Sequence, residues 1–169
     1  VHHDLWDYDL APPPMLHDMP DGHGGMIPAL IQPTKTGQMF VLDRRTGQPI
    51  RKVVETPVAK TGGLPGDWLS PTQPISTGMA TDVLNRLTET DMWGITPLDQ
   101  LACRITFRQL RYEGPFTPLS TQGTIVYPST YGGYNWGGGS IDAGHHYAII
   151  NDIQLPMIAR AIPRKDFSR

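Results

Sequence analysis

Short apolar runs separated by turn residues mark the first third of the chain. Ile27 to Ile31 and Gln38 to Leu42 are rich in apolar, β-branched and aromatic residues, with Lys35-Thr36-Gly37 between them. This pattern predicts a β-hairpin. A second turn is predicted at Asp43 to Gly47, because its glycine can adopt a positive φ angle that other residues resist. A third short strand is predicted at Pro49 to Val54.

The middle of the chain predicts a long loop and then a helix. Residues 55 to 92 contain many prolines and glycines without a sustained hydrophobic period, and Trp68 could anchor this loop. Leu98, Leu101, Ala102 and Ile105 then follow helical spacing after Pro97, a residue suited to a first helical turn. We expect one short amphipathic helix over residues 97 to 109, with Arg104, Arg108 and Arg111 on another face.

Strand patterns return in the last third of the chain. The predicted strands are Thr124 to Tyr127, Gly139 to Ile141, Tyr147 to Asn151 and Met157 to Ala161. Short strands at close spacing with Gly and Pro turns indicate an all-β fold.

Composition limits the classes of function. The 169 residues suit one domain, since domains cluster at roughly 100–150 residues. A formal charge of −2 argues against binding to nucleic acid or to anionic lipid. The single cysteine, Cys103, excludes an internal disulfide and is predicted to be a buried apolar thiol. The start, Val1-His2-His3-Asp4, resembles neither a signal peptide nor an initiation site, so we expect a piece of a longer protein.

Several polar residues are candidates for chemistry, each with an alternative. His2, His3, Asp4 and Asp7 could bind a metal, but their spacing fits no established signature and solvated side chains are the alternative. His145 and His146 are predicted at a surface turn.

Acidic and aromatic residues alternate near the start. If this segment is extended, we expect Asp4, Asp7 and Asp9 on one face, as a polar surface or as part of a catalytic site. Asn135 and Trp136 lie in a glycine-rich run, where the tryptophan could stack on a flat ligand or fill the core.

Six motifs together resemble the membrane-bound quinoprotein glucose dehydrogenases and their quinate, polyol and inositol relatives. They occur in the family's order and span almost the whole chain. The motifs are His2-His3-Asp4-Leu5-Trp6-Asp7, Pro33-Thr34-Lys35-Thr36-Gly37, Phe40-Val41-Leu42-Asp43-Arg44-Arg45-Thr46-Gly47, Asp91-Met92-Trp93-Gly94, Arg111-Tyr112-Glu113-Gly114-Pro115-Phe116-Thr117-Pro118 and Asn135-Trp136-Gly137-Gly138.

The resemblance implies that residues 1–169 are a few blades of an eight-bladed β-propeller. It further implies oxidation of glucose or a related polyol with pyrroloquinoline quinone (PQQ) as cofactor. The parent protein is then held by N-terminal helices at the periplasmic face of the bacterial inner membrane and passes electrons to ubiquinone. Quinate or shikimate remains an open alternative substrate. A non-catalytic propeller that only binds ligands is the rival from another class.

The resemblance also implies roles for individual residues. Asp7 corresponds to the proposed catalytic base, and Lys35 to the lysine that contacts the quinone oxygens. Asn135 and Trp136 correspond to residues near the cofactor. A Ca²⁺ or Mg²⁺ ion is implied, with most of its ligands outside this chain. That both Asp7 and Lys35 are present favours an enzyme over a decayed binding module.

Two stretches depart from the glucose enzymes, and both are candidates for determining the substrate. They are Tyr131 to Tyr134 and Ser76 to Thr88. The turn at Asp43 to Gly47 also lacks the tryptophan that the family carries a few residues after the glycine. We expect the isolated chain to fold but to be inactive and to self-associate.

Overall fold

The computed structural model describes residues 1–79, 83 and 85–167. Short strands form four antiparallel sheets, and two 3-10 helices, Glu89–Asp91 and Arg164–Asp166, accompany a single α-helix among these residues. The elements are β1 (Met15–Pro20), β2 (Met26–Pro33), β3 (Met39–Asp43), β4 (Val53–Pro57), β5 (Thr72–Ser76), α1 (Pro97–Gln109), β6 (Thr124–Val126), β7 (Gly139–Asp142), β8 (Tyr147–Ile150) and β9 (Met157–Ala159). The predicted mainly β fold with one helix is confirmed.

The largest sheet has the strand order β1-β2-β3 and contains the predicted hairpin. Leu30 of β2 pairs with Leu42 of β3, which confirms the two strands on either side of Lys35-Thr36-Gly37. The third strand predicted at Pro49 to Val54 is confirmed only at its end, because β4 begins at Val53. The backbone still bonds to β3 through Ile50 N–H and Val41 O at 2.8 Å, but it then leaves the sheet. The third strand of this sheet is instead β1, which was not predicted because its apolar and polar residues do not alternate regularly.

The predicted loop over residues 55 to 92 is wrong in part. It contains the end of β4 and all of β5, and these two strands pair with Val54 opposite Ile75. Pro71 and Pro74 concealed β5 in the sequence. A proline removes a backbone donor, but an edge strand of a two-stranded sheet tolerates that loss. Trp68 does have a contact partner, because its ring meets the ring of His3 edge-on at 5.2 Å.

The predicted helix is confirmed at Pro97–Gln109. Thr96 caps it, since its Oγ1 accepts a hydrogen bond from Asp99 N–H at 3.2 Å. Its apolar residues are exposed, however, with Leu98 at 77%.

The polar side of the same helix has defined partners. Arg104 and Arg108 both pair with Glu89, whereas Arg111 lies beyond the helix end and donates to the carbonyl oxygen of Gly62 at 2.6 Å. Cys103 is also exposed, so its prediction as a buried thiol is wrong. The helix packs few of its residues inward, and helical spacing alone could not reveal this.

The last third of the chain follows the prediction closely. Strands β6 and β9 pair with Ile125 opposite Ile158, and β7 and β8 pair with Ile141 opposite Ala148. His145 and His146 lie at the exposed turn between β7 and β8, as predicted. Within the described ranges, no helix is both long and apolar enough to cross a membrane.

Two clusters of buried side chains organise the core. One lies beneath the three-stranded sheet, where Met15, Ala29, Ile31 and Val41 contact partly buried residues of β7 and β8. The other joins segments that are distant along the chain; its fully buried members are Trp6, Tyr8, Ile75, Val83, Phe116 and Val126. This second cluster holds the first ten residues against the rest of the molecule.

Candidate active site at Asp7 and Lys35

The segment that carries Asp7 is a tight turn around the side chain of Asp4. Its carboxylate accepts hydrogen bonds from Trp6 N–H at 2.9 Å and from Tyr8 N–H at 2.6 Å. Between these two donors, Asp7 has a φ of +67°, a left-handed conformation that side chains rarely adopt. The expectation that Asp4, Asp7 and Asp9 share one face of an extended segment is wrong. An extended strand would place Asp4 opposite Asp7 and Asp9, and here the Asp4 carboxylate binds the backbone of its own segment.

Two buried aromatic side chains fix this turn. The indole N–H of Trp6 donates to the carbonyl oxygen of Thr117 at 2.8 Å. The hydroxyl of Tyr8 donates to the carbonyl oxygen of Pro128 at 2.5 Å. Both rings pack against Phe116. Burial, with a contribution from the Asp4 carboxylate, raises the pKa of Tyr8 well above its ordinary value, so this phenol remains a hydrogen-bond donor.

Lys35 lies in the tight turn that joins β2 to β3. The turn is closed by hydrogen bonds from Thr34 N–H to Gln38 O at 2.9 Å and from Gly37 N–H to Thr34 O at 3.0 Å. Gly37 takes a φ of +72°, which explains why a glycine ends the Lys-Thr-Gly motif. The Gln38 side chain links the turn to β5, since its Oε1 accepts from Ser76 N–H at 2.8 Å.

The ammonium of Lys35 meets two carboxylates. Its Nζ lies 3.1 Å from Asp7 Oδ2 and 3.0 Å from the carbonyl oxygen of Asp7, and it also pairs with Asp9 Oδ1. The lysine side chain is 9% exposed, whereas those of Asp7 and Asp9 are 69% and 55% exposed. Burial lowers the pKa of Lys35, but hydrogen bonds to Asp9 and Asp7 and their charges outweigh burial, so the pKa is raised.

The glycine-rich run predicted to lie near a ligand packs directly on the Lys35 turn. Gly133 N–H donates to Lys35 O at 2.7 Å, and Tyr134 N–H approaches Thr34 O at 3.4 Å. A Cβ added at Gly132 would lie 2.5 Å from Lys35 Cγ, and Gly132 has a φ of +79°. Only glycine fits at this position, because the lysine stem occupies the space where a side chain would be.

Asn135 and Trp136 extend outward from the same run. The Asn135 side chain bonds within its own loop: its amide donates to Tyr131 O, and its Oδ1 accepts from Trp136 N–H at 2.8 Å. Trp136 is 79% exposed, so the alternative that it fills the core is wrong. An exposed indole on this loop is available to stack on a flat ligand, which remains its predicted role.

The other candidate residues lie apart from this pair. His2 Nε2 lies 3.0 Å from Glu55 Oε1 and lowers the pKa of that carboxyl through their hydrogen bond. Within residues 1–79, 83 and 85–167, no three His, Cys, Asp or Glu side chains form a group that could hold a metal ion. Of the two stretches that were candidates for substrate choice, Ser76 to Thr88 includes residues 80–82 and 84, which lie outside the described residues.

The side chains present suit a quinone cofactor. A quinone offers carbonyl oxygens as acceptors, and the Lys35 ammonium is a charged donor next to two acids that solvent reaches. Two contacts of Lys35 were not predicted, namely its ion pair with Asp9, an acid that had been named only as a candidate, and the packing of its stem on Gly132. The alternation Asp7-Tyr8-Asp9, with a buried aromatic residue in the middle, was the available signal for Asp9.

Comparison with known proteins agrees with the motifs. The profile of the family described as "PQQ: Glucose/ethanol/alcohol dehydrogenase, beta-propeller domain" matches residues 1–169. No solved structure gives a significant match to the chain.

Curated relatives match over nearly the whole chain. Quinoprotein glucose dehydrogenase of Gluconobacter oxydans is 47% identical over 97% of the chain and 20% of the relative. Glycerol dehydrogenase large subunit of the same species is 50% identical over 98% of the chain and 22% of the relative. Quinate/shikimate dehydrogenase (quinone) of Acinetobacter baylyi is 46% identical over 92% and 19%. The chain spans about a fifth of the length of these relatives, and it belongs to the β-propeller domain family of the PQQ-dependent glucose, ethanol and alcohol dehydrogenases.

Proposed function

We propose that the full-length protein containing this chain is a PQQ-dependent dehydrogenase that oxidises a hydroxyl group of glucose or of a related sugar or polyol. The observation that carries the proposal is the contact between the Lys35 ammonium and the Asp7 carboxylate, at 3.1 Å, in a chain of this family. This contact, in a chain of this family, favours an enzyme over a propeller that only binds ligands.

The pair suits the removal of a hydride and a proton from an alcohol. A hydroxyl group is a far weaker acid than a carboxylic acid, so Asp7 can accept its proton only as the hydride leaves the neighbouring carbon. The substrate then loses two electrons and becomes a carbonyl compound, and the proton resides on the Asp7 carboxylate. When bound, PQQ supplies the acceptor of the hydride.

Lys35 would act as a donor to the quinone oxygens by exchanging one of its three present oxygen partners for the cofactor. Its ammonium would be a point charge close to the quinone oxygens, where negative charge grows during reduction, and would then stabilise the transition state more than the ground state. Asn135 would lie beside the cofactor, and Trp136 would offer a stacking surface. A Ca²⁺ or Mg²⁺ ion belongs to the same proposal, with most of its ligands supplied by the rest of the protein.

The electron acceptor and location complete the proposal. We place the protein at the periplasmic face of the bacterial inner membrane, with ubiquinone accepting the electrons. The relative named quinate/shikimate dehydrogenase (quinone) supports a quinone acceptor. It also keeps quinate or shikimate as the alternative substrate, and glycerol enters through the relative named for it.

A substrate panel with an artificial electron acceptor tests this function. The purified full-length protein, stripped of cofactor, is assayed with glucose, glycerol, quinate and shikimate, each with and without added PQQ. Dye reduction that requires both PQQ and one of these substrates is the expected result, with glucose or a polyol fastest. If none of the four substrates supported dye reduction in the presence of PQQ, the proposal would be overturned.

A further inference from the structure

We propose that Asp9 is a positioning residue of this site: its carboxylate shares the Lys35 ammonium with Asp7, and so leaves Asp7 able to accept a proton. The inference rests on the proposed function and adds a third side chain to the catalytic pair.

The hydrogen bonds of the ammonium show how the charge is divided. A lysine ammonium has three protons to donate. Three oxygens surround it, namely Asp7 Oδ2, the Asp7 carbonyl oxygen and Asp9 Oδ1. Asp9 is therefore a direct partner of Lys35, equal in charge to Asp7.

The fold holds these partners in place from both sides. The stem of Lys35 lies against Gly132, where an added Cβ would come within 2.5 Å of Cγ. Tyr8, between the two acids, is buried and bonded to Pro128 O. The stem of Lys35 and the backbone around Tyr8 are therefore both anchored. The ammonium at the end of the stem can still shift, and its position depends on which carboxylates attract it.

Charge explains why a second acid is useful. An ammonium beside a single carboxylate favours the ionised form of that carboxylate and makes it a poorer base. Here one ammonium faces two carboxylates, a formal charge of −1. Asp9 takes part of the hydrogen bonding and charge of Lys35 and places a second negative charge beside Asp7, so less of the attraction of the ammonium acts on the Asp7 carboxylate.

Few other charged groups face this pair within the described part of the chain. The Asp4 carboxylate is bound by the backbone of Trp6 and Tyr8. From the loop packed against Lys35, Asp152 Oδ1 lies 3.4 Å from the position of a Cβ on Gly133. Asp9 is the acid in direct contact with the lysine besides Asp7, so its removal should have an effect that removal of a distant acid lacks.

The first test is the pH dependence of kcat in the full-length protein loaded with PQQ. In Asp9→Asn, the acid limb should move to lower pH by at least about half a pH unit, because Asp7 loses a repelling neighbour. The limiting kcat should fall roughly tenfold, since a weaker base transfers the proton less readily. Asp9→Glu should restore both quantities in part.

Asp18→Asn is the matched control, because Asp18 is an exposed acid paired with Arg44 at 2.7 Å, on β1 rather than in the site. Its acid limb should coincide with that of the wild type. An acid limb in Asp9→Asn that also coincides with the wild type would overturn the proposal.

The second test needs neither cofactor nor activity. Acylation of individual lysines by acetic anhydride, followed by peptide mass spectrometry, reports how readily each ammonium loses its proton. In the cofactor-free protein, Asp9→Asn should raise the labelling of Lys35 at a fixed pH by about threefold or more, because one of its two anionic partners is gone. The exposed Lys60 is the internal control, and its labelling should not change.

The two tests separate the two proposals. Unchanged labelling of Lys35 would overturn the role of Asp9. If labelling of Lys35 rises in Asp9→Asn but the wild-type full-length protein shows no PQQ-dependent activity, the coupling of Asp9 to Lys35 is confirmed and the proposed function is overturned.

Discussion

Lys35 and Asp7 meet twice, because the lysine Nζ lies 3.1 Å from Oδ2 and 3.0 Å from the carbonyl oxygen of the same aspartate. The second contact depends on the backbone of Asp7, whose φ of +67° is set by the turn around Asp4. The backbone carbonyl of Asp7, the proposed base, therefore helps to keep its side chain next to Lys35, the proposed cofactor ligand.

Asp7→Asn should remove most of the turnover of the full-length protein and leave the affinity for PQQ nearly unchanged. The amide keeps the shape of the side chain but cannot accept a proton, and loss of a general base typically lowers kcat by about 10²–10⁴-fold. Steady-state dye reduction and titration with PQQ measure the two quantities. Asp18→Asn serves as control, and turnover of Asp7→Asn within a few-fold of the wild type would show that Asp7 is not the base.

Lys35→Ala should weaken PQQ binding and lower kcat together. The ammonium is argued to contact the quinone before and after reduction, so its loss affects both binding and rate. Titration of the cofactor-free protein with PQQ measures the affinity, and Lys60→Ala, at an exposed position, is the matched control. An unchanged PQQ affinity in Lys35→Ala would make this lysine a structural residue.

Gly132→Ala should disturb Lys35 although it changes no charged group. The new methyl group would lie 2.5 Å from Lys35 Cγ, so the lysine stem or the loop must move. A matched control is Gly66→Ala, because Gly66 has a similar φ of +90° with open space around it.

Both variants carry the strain of a positive φ, about 1 kcal/mol, and only Gly132→Ala adds the clash, about 1–3 kcal/mol more. We expect PQQ affinity to fall at least about tenfold in Gly132→Ala and to be unchanged in Gly66→Ala. Equal affinities in the two variants would mean that the glycine does not position Lys35.

The chain alone should be inactive and should self-associate. A propeller cofactor draws its contacts from most blades, and this chain supplies only a few. Trp93, Ile95, Leu98 and Leu101 are exposed, and apolar patches of this kind favour association. Light scattering should give a mass above 18.7 kDa that rises with concentration.

The double variant Leu98→Glu with Leu101→Glu tests the helix face in that association. Its mass should be lower than that of the unmodified chain if this face makes the contact. A monomeric chain that reduced dye with glucose and PQQ would contradict both halves of the expectation.

The sequence alone determined the elements that depend on neighbouring residues. The hairpin at β2 and β3, the helix over residues 97 to 109 and the strands of the last third follow from local periodicity and turn chemistry. Asp7 and Lys35 were each named from a motif of a few residues. Strand β1 was not predicted because its apolar and polar residues do not alternate regularly, and strand β5 was not predicted because of Pro71 and Pro74.

Only the tertiary structure decided how these parts meet. Asp7 and Lys35 are 28 positions apart, and their contact depends on where two separate turns lie in the fold. The pairing of Asp9 with the same lysine, the packing of Gly132 on its stem and the exposure of the helix's apolar face are likewise long-range facts. Periodicity shows which side of an element is apolar, but what lies against that side depends on the placement of distant segments.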